Sequence, residues 1–224
     1  MRSDDPSADR PPVSVGVGVD LFWGPDAGGH VKCWERFAEQ AAVRPNDVDL
    51  TIYMLGESEK TIDIGGATRI QLLPPKRGTD RYKTTSGGGG GGDTDLARKH
   101  PALAKLIRRH DLLHATSPFA FGRTMKRVAA QDAKPFLYSI HTDHAAFARI
   151  YSARIIRRRF GENLIGRMAL GRFDAPDRAE RAMRQRVRSM IAGSDVALIS
   201  RDADKAYAQG GGQPPRALGR LRRG

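Results

Sequence analysis

Two neighbouring glycines, Gly28 and Gly29, occupy a position where backbone could contact a phosphate. They follow the apolar run Val13–Val19 and stand at the head of a segment with helical periodicity. Glycines between a strand and a helix bring bare backbone N–H groups against a phosphate, but they also occur where helix and strand merely pack closely. The pair lacks the third glycine of the dinucleotide fingerprint. The sequence therefore leaves phosphate contact and close packing as two open explanations.

A second group of candidates follows the apolar run Lys134–Ile140. His141, Thr142, Asp143 and His144 come in succession there, and histidine and aspartate can bind substrates or metals. A histidine at a strand end is more often a hydrogen-bonded structural residue than a catalyst. In an extended segment His141 and Asp143 point one way and His144 the other, and no cysteine or glutamate completes a ligand set. We therefore predict no metal site.

The elements that must position these residues alternate between strand and helix. Predicted strands are Val13–Val19, Asp49–Leu55, Thr61–Ile64, Thr68–Leu73, Asp111–Pro118, Lys134–Asp143 and Ser194–Ser200. Predicted helices are 30–42, Leu96–His110, Phe119–Gln131, Ala145–Phe160, Pro176–Ile191 and Asp202–Gln209. Short apolar strands between helices predict an α/β domain with a mainly parallel sheet and helices on both faces. Ligands of such sheets bind at the carboxyl ends of the strands.

Composition is compatible with one large domain, because 39% of the 224 residues are hydrophobic. The single cysteine, Cys33, excludes an internal disulfide. The sequence has neither a membrane span nor a signal peptide, which predicts a cytoplasmic protein. A net charge of +13, with arginines crowding 149–188, favours anionic partners: nucleic acid, anionic membrane or phosphorylated small molecules. A solvated arginine face without a partner is the alternative.

Three segments are predicted to lie outside the packed core. Residues 1–12 read as a disordered leader, and 74–95, which contains Gly87–Gly92, reads as a flexible loop. Residues 210–224 have no apolar period and read as an unstructured tail. The predicted domain is therefore 13–209.

Four motifs in order resemble the N-terminal, acceptor-side domain of the family 4 retaining glycosyltransferases, over roughly residues 13–209. They are Trp23-Gly-Pro followed by Gly28-Gly29; Asp111-Leu-Leu-His-Ala-Thr-Ser-Pro118 with Gly122 beyond it; Ser139-Ile-His-Thr-Asp143 with Ala148; and Ser194-Asp-Val-Ala-Leu-Ile-Ser200. The resemblance implies a single Rossmann-like domain that forms one half of a GT-B fold.

The resemblance also implies a reaction: transfer of a sugar from a nucleotide-diphosphate sugar to a lipid, polyol or glycan hydroxyl, with retention of configuration. Gly28 and Gly29 match the donor-binding glycine loop, and His141 matches the histidine near the reacting sugar. Acceptor contacts are expected from Trp23, Ser117, Thr142 and Asp143. Neither a cofactor nor a metal is expected.

The chain departs from the family pattern after Gln209, where a second, donor-binding domain would follow. The resemblance therefore implies a truncation or frameshift and an isolated chain without activity. The alternative from another class is a basic module that binds nucleic acid or an anionic membrane, possible on charge alone. Nucleic acid is the less favoured partner, since the arginines lack interleaved aromatic residues. Peripheral contact with the inner face of a membrane is an extension of the first hypothesis.

Overall fold

The computed structural model describes residues 11–77, 94–161, 163–200 and 217–220. The strands are β1 Val13–Phe22, β2 Val48–Leu55, β3 Lys60–Gly65, β4 Thr68–Leu73, β5 Leu112–Ala115, β6 Phe136–Ile140, β7 Val196–Ile199 and β8 Ala217–Arg220. The helices are α1 Gly29–Ala42, α2 Pro101–Leu106, α3 Ala120–Gln131, α4 His144–Phe160, α5 Leu164–Leu170 and α6 Ala175–Ala192.

The strands form one sheet in the order β3-β4-β2-β1-β5-β6-β7-β8. Every neighbouring pair is parallel except β3 with β4, which is antiparallel. From β1 the chain builds outward through β2 and β4 on one side, then returns to β5 and builds through β6 and β7 on the other. This is the strand order of a Rossmann-type α/β domain, and it confirms the predicted fold class. The order reverses between β1 and β5, where such sheets bind ligands at their carboxyl edge.

Two hydrophobic clusters sandwich the sheet, because side chains alternate between its faces. On β2, Ile52 and Met54 belong to a cluster that includes Val31, Trp34 and Ala38 of α1. The intervening residues, including Tyr53 and Leu55, belong to the opposite cluster, with residues of α2, α3 and α6 such as Leu103, Phe121, Met125, Val187 and Met190. Burial on both faces explains why these strands read as continuous apolar runs.

Two glycines near β1 and β5 are closely packed, and at Gly122 the close contact with backbone requires glycine. A Cβ on Gly18 of β1 would lie 2.7 Å from the Sδ atom of Met125 in α3. A Cβ on Gly122 of α3 would lie 1.9 Å from the backbone oxygen of Ser117. Helix α3 therefore packs directly against β1 and against the turn after β5, at the carboxyl edge of the sheet.

The predicted helix Leu96–His110 is wrong at its start, because α2 begins only at Pro101. His100 caps this helix, with its Nδ1 accepting a hydrogen bond from the backbone N–H of Leu103 at 3.2 Å. Upstream, the buried carboxylate of Asp95 accepts hydrogen bonds from the backbone N–H groups of Lys76, Arg77 and Ala97 at 2.8 to 2.9 Å. Asp95 therefore ties together both ends of the predicted flexible loop. Residues 78–93 of that loop, with Gly87–Gly92, lie outside the described residues.

The predicted unstructured tail is wrong for residues 217–220, which form β8 in parallel register with β7. The pairing gives β7 a neighbour on its outer side, and an unpaired strand edge would expose backbone N–H and C=O groups. The predicted helix Asp202–Gln209 and residues 1–10 of the predicted leader lie outside the described residues. Helix α5, which the sequence did not predict, follows α4.

Candidate ligand site at the carboxyl edge of the sheet

Gly28 and Gly29 form the head of α1, as the sequence predicted. Gly28 is the N-cap in an extended conformation, and its carbonyl oxygen accepts hydrogen bonds from the N–H groups of Val31 and Lys32 at 3.0 and 3.3 Å. The N–H groups of Gly29 and His30 make no hydrogen bond to any described residue. The positive end of the helix dipole and two available donors thus meet at the switch point of the sheet.

Close packing does not explain Gly29. A Cβ built on Gly29 meets no atom within 4 Å, and its φ lies outside the left-handed region. The sequence left two explanations for this residue, close packing and phosphate contact. The structure excludes close packing. Contact with a phosphate remains, because the space beside Gly29 is open.

His30, the next residue, faces the end of β5. Its Nε2 lies 3.1 Å from the Oγ1 of Thr116, and the same Oγ1 donates to the carbonyl oxygen of Gly18 at 3.0 Å. A carbonyl can only accept, so the threonine proton is used there and His30 must donate through Nε2. The ring of His30 lies against that of His141, with centroids 4.5 Å apart.

His141 follows β6 and belongs to a hydrogen-bonded chain of three side chains. The Oγ of Ser139 lies 2.8 Å from the Nε2 of His141 and 2.9 Å from the Nε2 of His114. Ser139 is fully buried, whereas His141 is partly exposed. The ring of Trp34 in α1 packs edge-on against His114 at a centroid distance of 5.3 Å. Three histidines from α1, β5 and the end of β6 thus form a cluster beside Gly29.

Two histidines of this cluster are neutral at pH 7. Burial, with a smaller contribution from the neighbouring His141, lowers the pKa of His30 to about 4. Burial likewise lowers the pKa of His114 to about 4, and the charge of His30 adds to the effect. The cluster therefore provides polar hydrogen-bonding groups rather than a block of positive charge.

The other predicted site residues lie at the same edge, in differing environments. Trp23 is 36% exposed, and its backbone N–H donates to the carbonyl oxygen of Leu55 at 2.9 Å. Thr142 and Asp143 are partly exposed, and Asp143 caps α4 by accepting from the N–H groups of Ala145 and Ala146. Trp23 follows β1, and Thr142 and Asp143 follow His141. Their acceptor contacts stay a prediction.

Ser117 is turned toward the interior by a buried carboxylate. Its hydroxyl donates to Asp20 at 2.5 Å, and Asp20 also accepts from the N–H groups of Phe121 and Gly122 at 2.8 and 3.2 Å. Asp20 lies where the register of β1 on β2 shifts, between Val19 and Phe22. Burial raises the pKa of Asp20 to about 7, against the opposing effect of these three donors. Ser117 thus supports α3, and its predicted acceptor contact would require the hydroxyl to leave Asp20.

Sequence reasoning missed His30 and His114 as members of the site. His30 directly follows Gly29, and His114 is the third residue of the four-residue strand β5, one before its carboxyl end. Both positions belong to the loops and strand ends already singled out, so this proximity was the available signal. Their convergence with His141 depends on β1, β5 and β6 lying side by side.

Two absences hold for the described residues. No group of three or more His, Cys, Asp or Glu side chains there is arranged to hold a metal ion. Within the same part of the chain, no helix has the length and apolar character needed to cross a membrane.

Comparison with known proteins gives only distant structural likenesses. The sequence matches no protein-family model and no curated protein. Two structures of sucrose-phosphate synthase from Thermosynechococcus elongatus align with TM-scores of 0.47, at 9% and 10% identity. They cover 94% and 93% of this chain, and the chain covers 89% and 47% of theirs.

A third structure is Glycyrrhiza uralensis UGT73P12 complexed with glycyrrhetinic acid 3-O-monoglucuronide. Its TM-score is 0.41 at 13% identity, with 88% of this chain and 46% of that chain covered. The chain thus spans about half the length of two of the three structures. At these scores no shared chemistry follows, and the chemistry must come from the site itself.

Proposed function

We propose that this chain is the acceptor-side half of a retaining glycosyltransferase of GT-B type. It would act with a donor-binding domain to transfer a sugar from a nucleotide-diphosphate sugar to a lipid, polyol or glycan hydroxyl. The observation that carries the proposal is the open head of α1 at Gly29, placed beside His30 and His141 at the switch point of the sheet. The motif resemblance to the family 4 glycosyltransferases supports it.

Each residue has a definite role in this proposal. The N–H groups at Gly28 and Gly29 offset charge that develops on the diphosphate leaving group. His141 hydrogen-bonds the reacting sugar and orients it. Trp23, Thr142 and Asp143 contact the acceptor, which approaches along the same edge. No metal or cofactor takes part.

The donor contact is tested by fusing the chain to a donor domain of the same family and titrating the fusion with UDP, GDP and ADP in a calorimeter. We expect Gly29→Asp to weaken binding of the preferred nucleoside diphosphate at least tenfold, about 1.4 kcal/mol, because it places a carboxylate against the phosphates. The open space at this position and the helix dipole should leave the thermal midpoint unchanged or slightly raised. Gly29→Asn, of the same shape without the charge, is the matched control and should bind within about threefold of the wild type.

Transfer itself is measured after fusing the chain to a donor domain of the same family. His141→Ala should lower kcat about a hundredfold while leaving nucleoside diphosphate affinity intact. Equal affinity of wild type and Gly29→Asp would contradict the donor contact. Full turnover by the His141→Ala fusion would remove His141 from the mechanism.

Peripheral contact with an anionic membrane is the second proposal, and α4 and α5 carry it. Exposed apolar residues here include Leu164 at 74%, Ile150 at 63% and Ile165 at 59%. A cavity of about 340 Å³ is lined by Arg157, Gly161, Arg167 and Leu170. Neither of these arginines forms an ion pair with a described residue.

Two arginines of α6 differ from those of the cavity. Arg181 and Arg184 pair with Asp174 and Glu180 at 3.2 and 2.7 Å, so their charge is partly used within the protein. Unpaired arginines beside exposed apolar side chains are typical of a surface that meets anionic headgroups and inserts apolar groups among them. The α4–α5 surface is therefore the part of the arginine-rich region that fits a membrane.

Vesicle sedimentation tests this surface. The chain should bind vesicles that contain phosphatidylglycerol and ignore pure phosphatidylcholine, with about fivefold weaker binding for each of Arg157→Gln and Arg167→Gln. The double change of Leu164 and Ile165 to serine should weaken binding similarly, whereas Phe37→Ser, at a position of α1 that is 48% exposed, serves as the control. Absence of binding at low salt, or tighter binding to duplex DNA than to the vesicles, would contradict the proposal.

A further inference from the structure

Four arginines from three neighbouring segments lie close together beside α3, and we call them the α3 arginine cluster. They are Arg98 before α2, Arg123 and Arg127 on α3, and Arg186 on α6. Arg123 is partly exposed and the other three are exposed. The Arg123 guanidinium is held in place, because it donates to the carbonyl oxygens of Arg98 and Ala97 at 3.3 and 3.2 Å.

Helix packing brings the arginines of α3 and α6 together. The ammonium group of Lys126 in α3 donates to the carbonyl oxygen of Ser189 in α6 and, at 2.8 Å, to its Oγ. Both helices connect parallel strands, so they run in the same direction. Arg123 and Arg186 each precede this contact by three residues, which places them side by side one turn earlier.

The positive charges of the cluster repel one another. Burial lowers the pKa of the Arg123 guanidinium, and repulsion from the charges of Arg186, Arg98 and Arg127 lowers it further. Asp20 opposes this lowering, but its carboxylate is only 1% exposed and accepts hydrogen bonds from the head of α3. The three other arginines are thus grouped around Arg123 rather than spread along a line.

No carboxylate of the described residues forms an ion pair with the cluster. Arg108 illustrates the difference, since it lies at the other end of α3 and pairs with Asp132, the residue that follows this helix. Grouped like charges destabilise the folded chain unless an anion offsets them. The anion that fits this cluster therefore comes from outside the described part of the chain.

A cavity of about 270 Å³ adjoins the cluster between α2 and α3. Arg127 and Lys99 line it with positive charge, and Pro101, Ala104 and Val128 provide apolar wall. This volume is close to the lower end of the range of about 300–1,000 Å³ for small-molecule sites. The cavity therefore suits a small ligand, whereas a nucleic acid needs cations along the length of its backbone.

We propose that the α3 arginine cluster and this cavity bind a compact ligand that carries two or more phosphate groups. Guanidinium groups pair with phosphate oxygens in a bidentate manner, and several of them can share one such ligand. The site lies on the face of the sheet opposite to α1, where Gly29 is found. It is therefore separate from the proposed donor contact and does not rest on the proposed function.

The test is a calorimetric titration of the full chain with inorganic triphosphate at low salt. We expect binding that weakens with added salt, and about fivefold weaker binding for each of Arg98→Gln, Arg127→Gln and Arg186→Gln. The triple variant should show no measurable binding. Arg108→Gln, a matched loss of one exposed arginine, and Gly29→Asp, at the proposed donor contact, should each bind within about twofold of the wild type.

Equal losses in Arg108→Gln and in the cluster variants would show that binding follows net charge alone, and would overturn the proposal. A large loss in Gly29→Asp would place the triphosphate at the head of α1 and would overturn it as well. Absence of binding at low salt, or tighter binding of duplex DNA or anionic vesicles through the same arginines, would have the same consequence. Circular dichroism verifies that each variant is folded. Failure of the fusion to bind nucleoside diphosphates would reject the proposed function without changing these results.

Discussion

Replacement of Asp20 by alanine is expected to lower the free energy of unfolding by about 3 kcal/mol or more. The carboxylate is only 1% exposed and accepts hydrogen bonds from Ser117 and from the N–H groups of Phe121 and Gly122. Alanine leaves two N–H groups at the head of α3 and one hydroxyl without an acceptor, in a space that helix and sheet cannot readily close. For a domain of this size the thermal midpoint should fall by roughly 6–12 °C.

Urea unfolding at pH 7 measures this loss. Asp20→Asn retains one acceptor oxygen but turns an amide N–H toward the donors, so we expect an intermediate loss of about 1–2 kcal/mol. Asp47, an exposed aspartate in the turn after α1, provides the matched control, and Asp47→Ala should change stability by less than about 0.5 kcal/mol. If Asp20→Ala unfolded at the same urea concentration as the wild type, α3 would not depend on this carboxylate.

Acidification from pH 6.5 to pH 4 is expected to remove about 6 kcal/mol of stability. Burial lowers the pKa of His30, His114 and His110 from 6.5 to about 4. The unfolded chain takes up these protons first as the pH falls, so this contribution is complete above pH 6.5 and is lost toward pH 4. Lowering the pKa of one histidine by about 2.5 contributes about 3 kcal/mol to the free energy of unfolding. The three histidines together contribute about 10 kcal/mol.

Asp20 opposes this loss. Its folded pKa of about 7 exceeds the ordinary 3.8, so the folded state keeps a proton that the unfolded chain releases. The contribution of Asp20 is therefore complete below about pH 4 and is lost as the pH rises to 7. Its magnitude, about 4 kcal/mol, offsets less than half of the histidine effect.

Urea unfolding of the wild type at pH 7, 5.5 and 4 measures the net change. His110→Gln should make the fall shallower by about 3 kcal/mol, and Asp20→Asn should make it steeper by about 4 kcal/mol. His110 is the cleaner histidine for this comparison, because it bonds Ser14 and Tyr53 and does not belong to the candidate site. Stability that is constant or rises between pH 6.5 and 4 would contradict the assignment of buried neutral histidines.

Local patterns along the chain predicted most of the framework. The strand Thr68–Leu73 was predicted at its exact bounds, and α3 and α4 each began within one residue of the predicted start. Apolar runs of strand length and helical spacing are local properties, which is why they can be read from sequence. The predicted helix Leu96–His110 began too early because the cap residue His100 and Pro101 in the first turn, both local signals, were not used to place its start.

The candidate site could be predicted only in part. Gly28, Gly29 and His141 follow strands, and their place at the carboxyl edge needs nothing more than the alternation of strands and helices. The membership of His30 and His114 depends on which strands are neighbours, and local pattern does not fix strand order. Ser117 shows the opposite error, because the sequence predicted that its side chain contacts a ligand. In the structure its hydroxyl points inward and donates to Asp20, 97 residues away in sequence.

The sequence by itself determined an α/β chain with a parallel sheet, a basic surface and polar residues at the strand ends. Only the tertiary structure decided that β1 lies between β2 and β5, that Gly29 faces open space, and that one serine hydroxyl joins His114 to His141. Secondary structure follows from interactions within a few residues, whereas these contacts join segments many residues apart. Their hydrogen-bond geometry exists only once the sheet has assembled.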